Sequence, residues 1–278
     1  GSGKSYSISV IAEALSDLPK DVEENIASLI FDTMGVFWTM KYKNEKDKEL
    51  LEEWNLKPKN LPVKIFVPFG KYETYLEKGI EVDEQFALDP KELEINDWIE
   101  AFNLEVTSPI SVLIIRAIAR LKKNEKEFGI QDMVKEIELD KKSRDEIKDA
   151  AISLFEAAKS WGIFSEEKIK PTKIKDLINA GETTIVDLSA YSSTGGFNIR
   201  ALVISLVSRK IFNERMEARK REEGESIRKG GDYLSSKRNK NPLVWIFIDE
   251  AHEFLKLNEK TPATDSLVQL LREGRQPG

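Results

Sequence analysis

The sequence predicts an α/β fold: a mostly parallel sheet interrupted by an inserted bundle of helices. Three observations point to it. The chain opens on Gly1-Ser2-Gly3-Lys4-Ser5-Tyr6 and runs directly into a helical pattern. Near its far end six consecutive apolar residues, Leu243–Ile248, terminate in the adjacent carboxylates Asp249 and Glu250. Between these ends, strand-like segments flank a stretch from about Pro90 to Trp161 in which only helical periodicity occurs.

The opening hexapeptide has the composition of the end of a phosphate-binding loop. Glycines let the backbone curl until successive N–H groups face phosphate oxygens, and the helix that follows adds its positive end. In such a loop Gly1, Ser2, Gly3 and Tyr6 belong to the cradle, Lys4 reaches the β- and γ-phosphates, and Ser5 places its hydroxyl on Mg²⁺. The full pattern begins with a glycine five residues before Gly3 and a strand before that. Both fall upstream of Gly1, so the chain reads as an internal piece of a longer protein. A Gly-Lys-Ser triplet also arises by chance, and its meaning depends on a matching acidic partner.

The run Leu243–Ile248 supplies that partner. It follows the turn-like Asn239-Lys240-Asn241-Pro242, and its bulky and β-branched residues read as a strand buried on both faces. Asp249 at its carboxyl end would hold the metal shell, and Glu250 would orient or deprotonate an attacking water. The plainer alternative is a buried strand meeting a helix with Asp249 as its cap. His252 is the only histidine. It could sense phosphate or DNA, or simply pack on a helix face.

The remaining elements follow in order. Ser5–Leu15 carries Ile8, Ile11, Ala12 and Leu15 at helical spacing. Ile26–Asp32 is an apolar strand ending in an acid, followed by Thr33-Met34-Gly35. Lys46–Asn55 reads as a charged helix and Val63–Val67 as a short strand stopped by Pro68-Phe69-Gly70. Pro90–Phe102, Ser108–Leu121, Ile130–Ile137 and Ser143–Trp161 read as helices, the second with Ile110, Leu113, Ile114, Ala117, Ile118 and Leu121 on one face. These divide the chain into 1–89, an inserted helical bundle over 90–170, and 171–278. Trp98 and Trp161 are expected core anchors, and the charge run Lys122–Glu127 solvated surface.

Strand character returns at Thr183–Leu188, and a long helix starts near Asn198 with Leu202, Leu206, Val207, Ile211 and Phe212 as its buried stripe. Beyond Phe212 the pattern turns polar. Between Arg209 and Lys240 there are 11 Lys/Arg against 6 Asp/Glu in a chain whose net charge is −6. Lys229, Lys237, Arg238 and Lys240, around Gly230-Gly231, are therefore the candidates for contact with a phosphate backbone. A solvated helix end with a loop is the competing reading. Thr264–Leu271 is a further helix whose Leu267, Leu270 and Leu271 should pack on the sheet.

Composition narrows the class. Without cysteine there is neither a disulfide nor a thiolate metal site. No apolar run approaches the roughly 18 residues of a membrane span, so a cytoplasmic location is expected. Charged residues make up 33% of the chain, with Lys and Glu dominant, a weak lean towards a thermophilic source. The net negative charge confines any nucleic-acid contact to a local patch.

Taken together, these motifs resemble the central ATPase domain of HerA-type and related archaeal ATPases in the FtsK–HerA group of P-loop motors. The matching residues are Gly1–Ser5, Asp32-Thr33-Met34-Gly35, Val186-Asp187-Leu188-Ser189, Asp249-Glu250-Ala251-His252, and Leu271-Arg272-Glu273-Gly274-Arg275-Gln276-Pro277-Gly278. The last stretch is the most specific, and the resemblance covers nearly the whole chain. The chain departs from the family after the second strand, where Asp-Pro-His-Gly-Glu is usual and Asp32-Thr33-Met34-Gly35-Val36 stands here.

The resemblance implies a RecA-like P-loop ATPase core using ATP and Mg²⁺, in a six-membered ring that moves duplex DNA. It also implies a flanking barrel and brace, a strand after Gly278 carrying a phosphate sensor, and a NurA-like nuclease partner in DNA end processing. Arg275, with Arg272 second, would be the arginine that reaches a neighbour's site. Two other readings stay open: a relative that pumps protein or single-stranded DNA in secretion or conjugation, and a low-turnover P-loop switch.

Overall fold

Strands form where branched and aromatic residues alternate into two apolar faces. The computed structural model describes residues 3–124, 127–192, 196–229, 241–257 and 259–278, and within them five strands make one sheet. They are β1 (Ile26–Asp32), β2 (Val63–Pro68), β3 (Glu84–Phe86), β4 (Thr183–Asp187) and β5 (Leu243–Ile248), all parallel, in the order β3-β2-β4-β1-β5. The register sets Asp32 beside Asp187 and Phe31 beside Ile248, so the acidic strand ends line up along one edge.

Parallel pairing requires crossovers, and helices supply them on both faces. On one face Ile30, Ile65, Val67 and Ile185 meet Ala12 of α1 (Lys4–Ser16), Phe37, Met40 and Tyr75. On the other, Leu29, Phe31, Phe66 and Val186 join the helical segment. Short helices α2 (Lys20–Glu23), α3 (Lys48–Glu53) and α4 (Tyr72–Glu77) fill the early connections. The charged helix expected over Lys46–Asn55 is thus real but shorter. Of the apolar residues at helical spacing in α1, Ala12 is buried against the sheet and Ile11 is exposed.

Four helices occupy the segment between β3 and β4 before a short fifth: α5 (Ile95–Ala101), α6 (Pro109–Lys123), α7 (Ile130–Glu138), α8 (Asp145–Ser160), then α9 (Ile174–Leu177). The expected helix over Pro90–Phe102 is interrupted. Pro90–Glu92 is a 3-10 turn, and α5 starts afresh at a capping box in which Glu94 N–H donates to Asp97. In α6 Ser108 accepts the Ser111 N–H, Pro109 takes the first turn, and Leu113, Ile114, Ala117 and Ile118 are buried. Trp98 is fully buried, its ring centroid 5.2 Å from Phe155 and 5.0 Å from Phe164, and Trp161 packs at the edge of the same aromatic group. These helices share one continuous apolar cluster with the sheet.

The long helix α10 (Phe197–Lys229) buries the expected stripe, and α11 (Thr264–Glu273) lies against it. Two expectations fail here. The strand Leu243–Ile248 is not buried on both faces among the described residues: β5 pairs there with β1 alone, and Trp245 is 48% exposed. Leu271 does not pack on the sheet. It is 75% exposed, while Leu267 is buried and Leu270 half-buried, because α11 presents a narrower stripe than three leucines.

Candidate active site

The site begins at Gly3, whose φ of 71° lies in the left-handed region that glycine tolerates. The chain turns there straight into α1. Among the described residues no side chain caps that helix, and its first turn holds no acid, which leaves its positive end suited to an anion. Lys4 and Ser5 are the first two residues of α1.

Opposite them, β5 delivers Asp249 and Glu250. The Asp249 N–H donates to the Phe31 carbonyl at 3.2 Å, extending the β1–β5 ladder one residue past the strand. Asp249 is buried, and the Ser5 hydroxyl lies 3.2 and 3.3 Å from its two carboxylate oxygens. Glu250 then turns left-handed, with φ 51°. Its Oε2 meets Lys4 Nζ at 2.9 Å and His252 Nδ1 at 3.1 Å. The hydrogen bond from Lys4 holds the Glu250 carboxyl below the usual carboxylate range, so it is ionised at neutral pH.

The two halves of the motif therefore meet across most of the length of the chain. The helix-packing reading of His252 is corrected: it sits on a 3-10 turn, Ala251–Glu253, and its side chain is 71% exposed beside Glu250. Tyr6 is 68% exposed on α1, and Gly1 and Ser2 lie outside the described residues. Arg272 and Arg275 are exposed at the end of α11 and beyond it, and neither forms a hydrogen bond or ion pair with another described side chain.

The basic tract is only partly free. Arg209 grips Asp97 through two bonds of 3.1 and 2.6 Å, and Lys210 pairs with Glu92. Arg215 is buried and donates to the carbonyls of Asn241 and Pro277. The candidates Lys237, Arg238 and Lys240 lie outside the described residues, as does the side chain of Lys229.

A second group of polar residues borders the site, unforeseen in the sequence. Asp32 accepts N–H bonds from Met34, Gly35 and Phe37 at 3.1, 2.6 and 2.8 Å. Beside it, Asp187 Oδ1 accepts the Tyr75 hydroxyl and the Ser189 N–H, both at 2.8 Å, while its Oδ2 is buried with no hydrogen-bond partner among the described residues. Gly35 is required by this arrangement: its φ is 70°, and an added Cβ would lie 2.6 Å from Ser189 Oγ.

Burial, and then the charge of Asp187, push Asp32 up to about 7 despite its three N–H partners, and burial raises Asp187 as well. A carboxyl with a raised folded-state pKa binds its proton more tightly folded than unfolded. Its contribution to stability is present at low pH and is lost as pH climbs from the ordinary carboxylate range to about 7. The slope is at most about 1.4 kcal/mol per pH unit for each proton released. Asp187→Asn keeps an oxygen for Tyr75 and Ser189 and removes the neighbouring charge. Chemical denaturation between pH 5 and 8 should then show a flatter profile and a gain at pH 8; a steeper profile or a loss at pH 8 would contradict the assignment.

The donor set suits a nucleotide with a hard cation. Hydroxyl and carboxylate oxygens converge at Ser5 and Asp249, an ammonium stands beside them, and the uncapped end of α1 faces the same place. A glycine-led helix meeting an acidic strand end on a parallel sheet defines the class as P-loop ATPases with a RecA-like core. Residues 1–211 match the family model for the central domain of helicase HerA, and the chain belongs to that family of P-loop ATPase motors. A search of curated proteins found no match. Among the described residues no helix is long and apolar enough to cross a membrane.

Proposed function

We propose that this chain hydrolyses ATP and that turnover drives double-stranded DNA through a homo-hexameric ring in the cytoplasm, beside a NurA-like nuclease in DNA end processing. The observation that carries the ATPase reading is the convergence of Lys4 with Glu250 and of Ser5 with Asp249. Residues 1–89 and 171–278 act as the two parts of the motor core, and 90–170 as its helical insertion.

Lys4 exchanges its bond to Glu250 for the β- and γ-phosphates when the substrate enters. That exchange releases an ionised Glu250 carboxylate to accept a hydrogen bond from the attacking water and orient it. Ser5 and Asp249 would hold Mg²⁺, which when bound neutralises charge on the phosphate oxygens. Gly1, Ser2, Gly3 and Tyr6 complete the cradle. Arg275, assisted by Arg272, projects from one subunit towards the γ-phosphate held by the next.

For DNA, the described pairs of Arg209, Lys210 and Arg215 occupy those charges within the protein. Lys229, Lys237, Arg238 and Lys240, around Gly230-Gly231, are the residues assigned to the duplex. ATP turnover by the whole protein, measured with and without duplex DNA, tests both halves. Duplex DNA should stimulate turnover, with an effect that weakens as salt rises. Lys4→Ala should abolish turnover under either condition, by removing a charge from the phosphates. Undiminished turnover in Lys4→Ala would refute the site. Turnover indifferent to duplex DNA would refute the choice of polymer and favour a secretion- or conjugation-type motor.

A further inference from the structure

We infer that Thr33, in the stretch where the chain departs from its family's usual pattern, is a positioning residue for Glu250. Its hydroxyl donates to the backbone carbonyl of Asp249 at 3.3 Å, and no other described residue donates to that carbonyl. Thr33 is fully buried, so water does not compete for this bond.

The peptide that Thr33 holds is the one that aims the proposed catalytic carboxylate. Glu250 lies at φ 51°, a left-handed conformation that a non-glycine residue adopts only when its surroundings hold it there. Two bonds hold the Asp249–Glu250 peptide itself among the described residues. The Asp249 carbonyl is fixed by Thr33, and the Glu250 N–H is fixed by Asp249 Oδ1 at 3.1 Å.

Thr33 is itself immobilised from both sides. The carbonyl of Asp32 accepts the Leu188 N–H at 2.8 Å, and the carboxylate of Asp32 gathers the N–H groups of Met34, Gly35 and Phe37. The loop after β1 thus acts as a bracket whose bond from Thr33 sets the Asp249–Glu250 turn. Thr33 acts on the reaction through the backbone and touches no reacting atom.

This inference rests on the role proposed for Glu250, and its test separates the two. In the whole protein, Thr33→Val keeps the shape and removes the donor, and Thr33→Ser keeps the donor. Thr33→Val should lower kcat on the order of tenfold through misplacement of the carboxylate, with nucleotide affinity within about twofold of wild type. Thr33→Ser should retain most of the turnover. In a Glu250→Gln background Thr33→Val should cost nothing further, since the group it aims is gone.

The inference is overturned if Thr33→Val turns over normally, if Thr33→Ser is as poor as Thr33→Val, or if Thr33→Val loses nucleotide binding, as an unfolded or generally disrupted protein would. Wild-type protein without ATP turnover would overturn the ATPase reading itself, and this inference with it.

Discussion

Arg275→Ala, present in every subunit, should lower ATP turnover by roughly 10³-fold or more while leaving nucleotide binding almost unchanged. The residue is exposed, makes no side-chain bond within its own chain among the described residues, and follows α11 rather than the loop that would hold the phosphates. An arginine so placed is available to a neighbour. If it acts in trans, mixing Arg275→Ala subunits with Glu250→Gln subunits restores part of the activity. Some interfaces then unite an intact Glu250 from one subunit with an intact Arg275 from the next. If it acts in cis, no mixed ring gains anything, because each subunit still lacks one of the two groups. A flat activity curve across mixing ratios, in rings shown to be intact and exchanged, would remove Arg275 from the trans role.

The motif halves were legible because their chemistry is carried by short, local patterns. Glycine, lysine and serine at a helix start, and two acids after six apolar residues, announce themselves without any knowledge of the sheet. The strands Ile26–Asp32 and Leu243–Ile248 have the bounds the sequence predicts, since apolar runs bounded by polar turns leave little choice. β3 was missed for the opposite reason. Three residues, two of them exposed, carry no periodicity.

Sheet position is not a local property. The apolar run of β5 does not say which strand it joins, and its pairing with β1 among the described residues follows from the register of the whole sheet. The Asp32–Asp187 pair and the Thr33 bond were invisible for the same reason. Both depend on the register of β1 against β4 and β5, which brings distant segments to one edge of the sheet. Tyr75 joins them from α4, a helix too short to show a pattern. His252 illustrates a smaller failure: a 3-10 turn follows Glu250, where helical spacing would have faced the imidazole inward.

If Glu250 activates water at a site where Lys4 and Ser5 bind the nucleotide, Glu250→Gln should separate binding from turnover. The substitution keeps the size of the side chain and removes the charge that Lys4 now pairs with. Measured side by side in the whole protein, nucleotide affinity should stay the same or rise, because Lys4 no longer has to leave a carboxylate. Steady-state turnover should fall by roughly 10²–10⁴-fold, the scale of a lost general base. Wild-type turnover in Glu250→Gln would show that Glu250 does not activate the water.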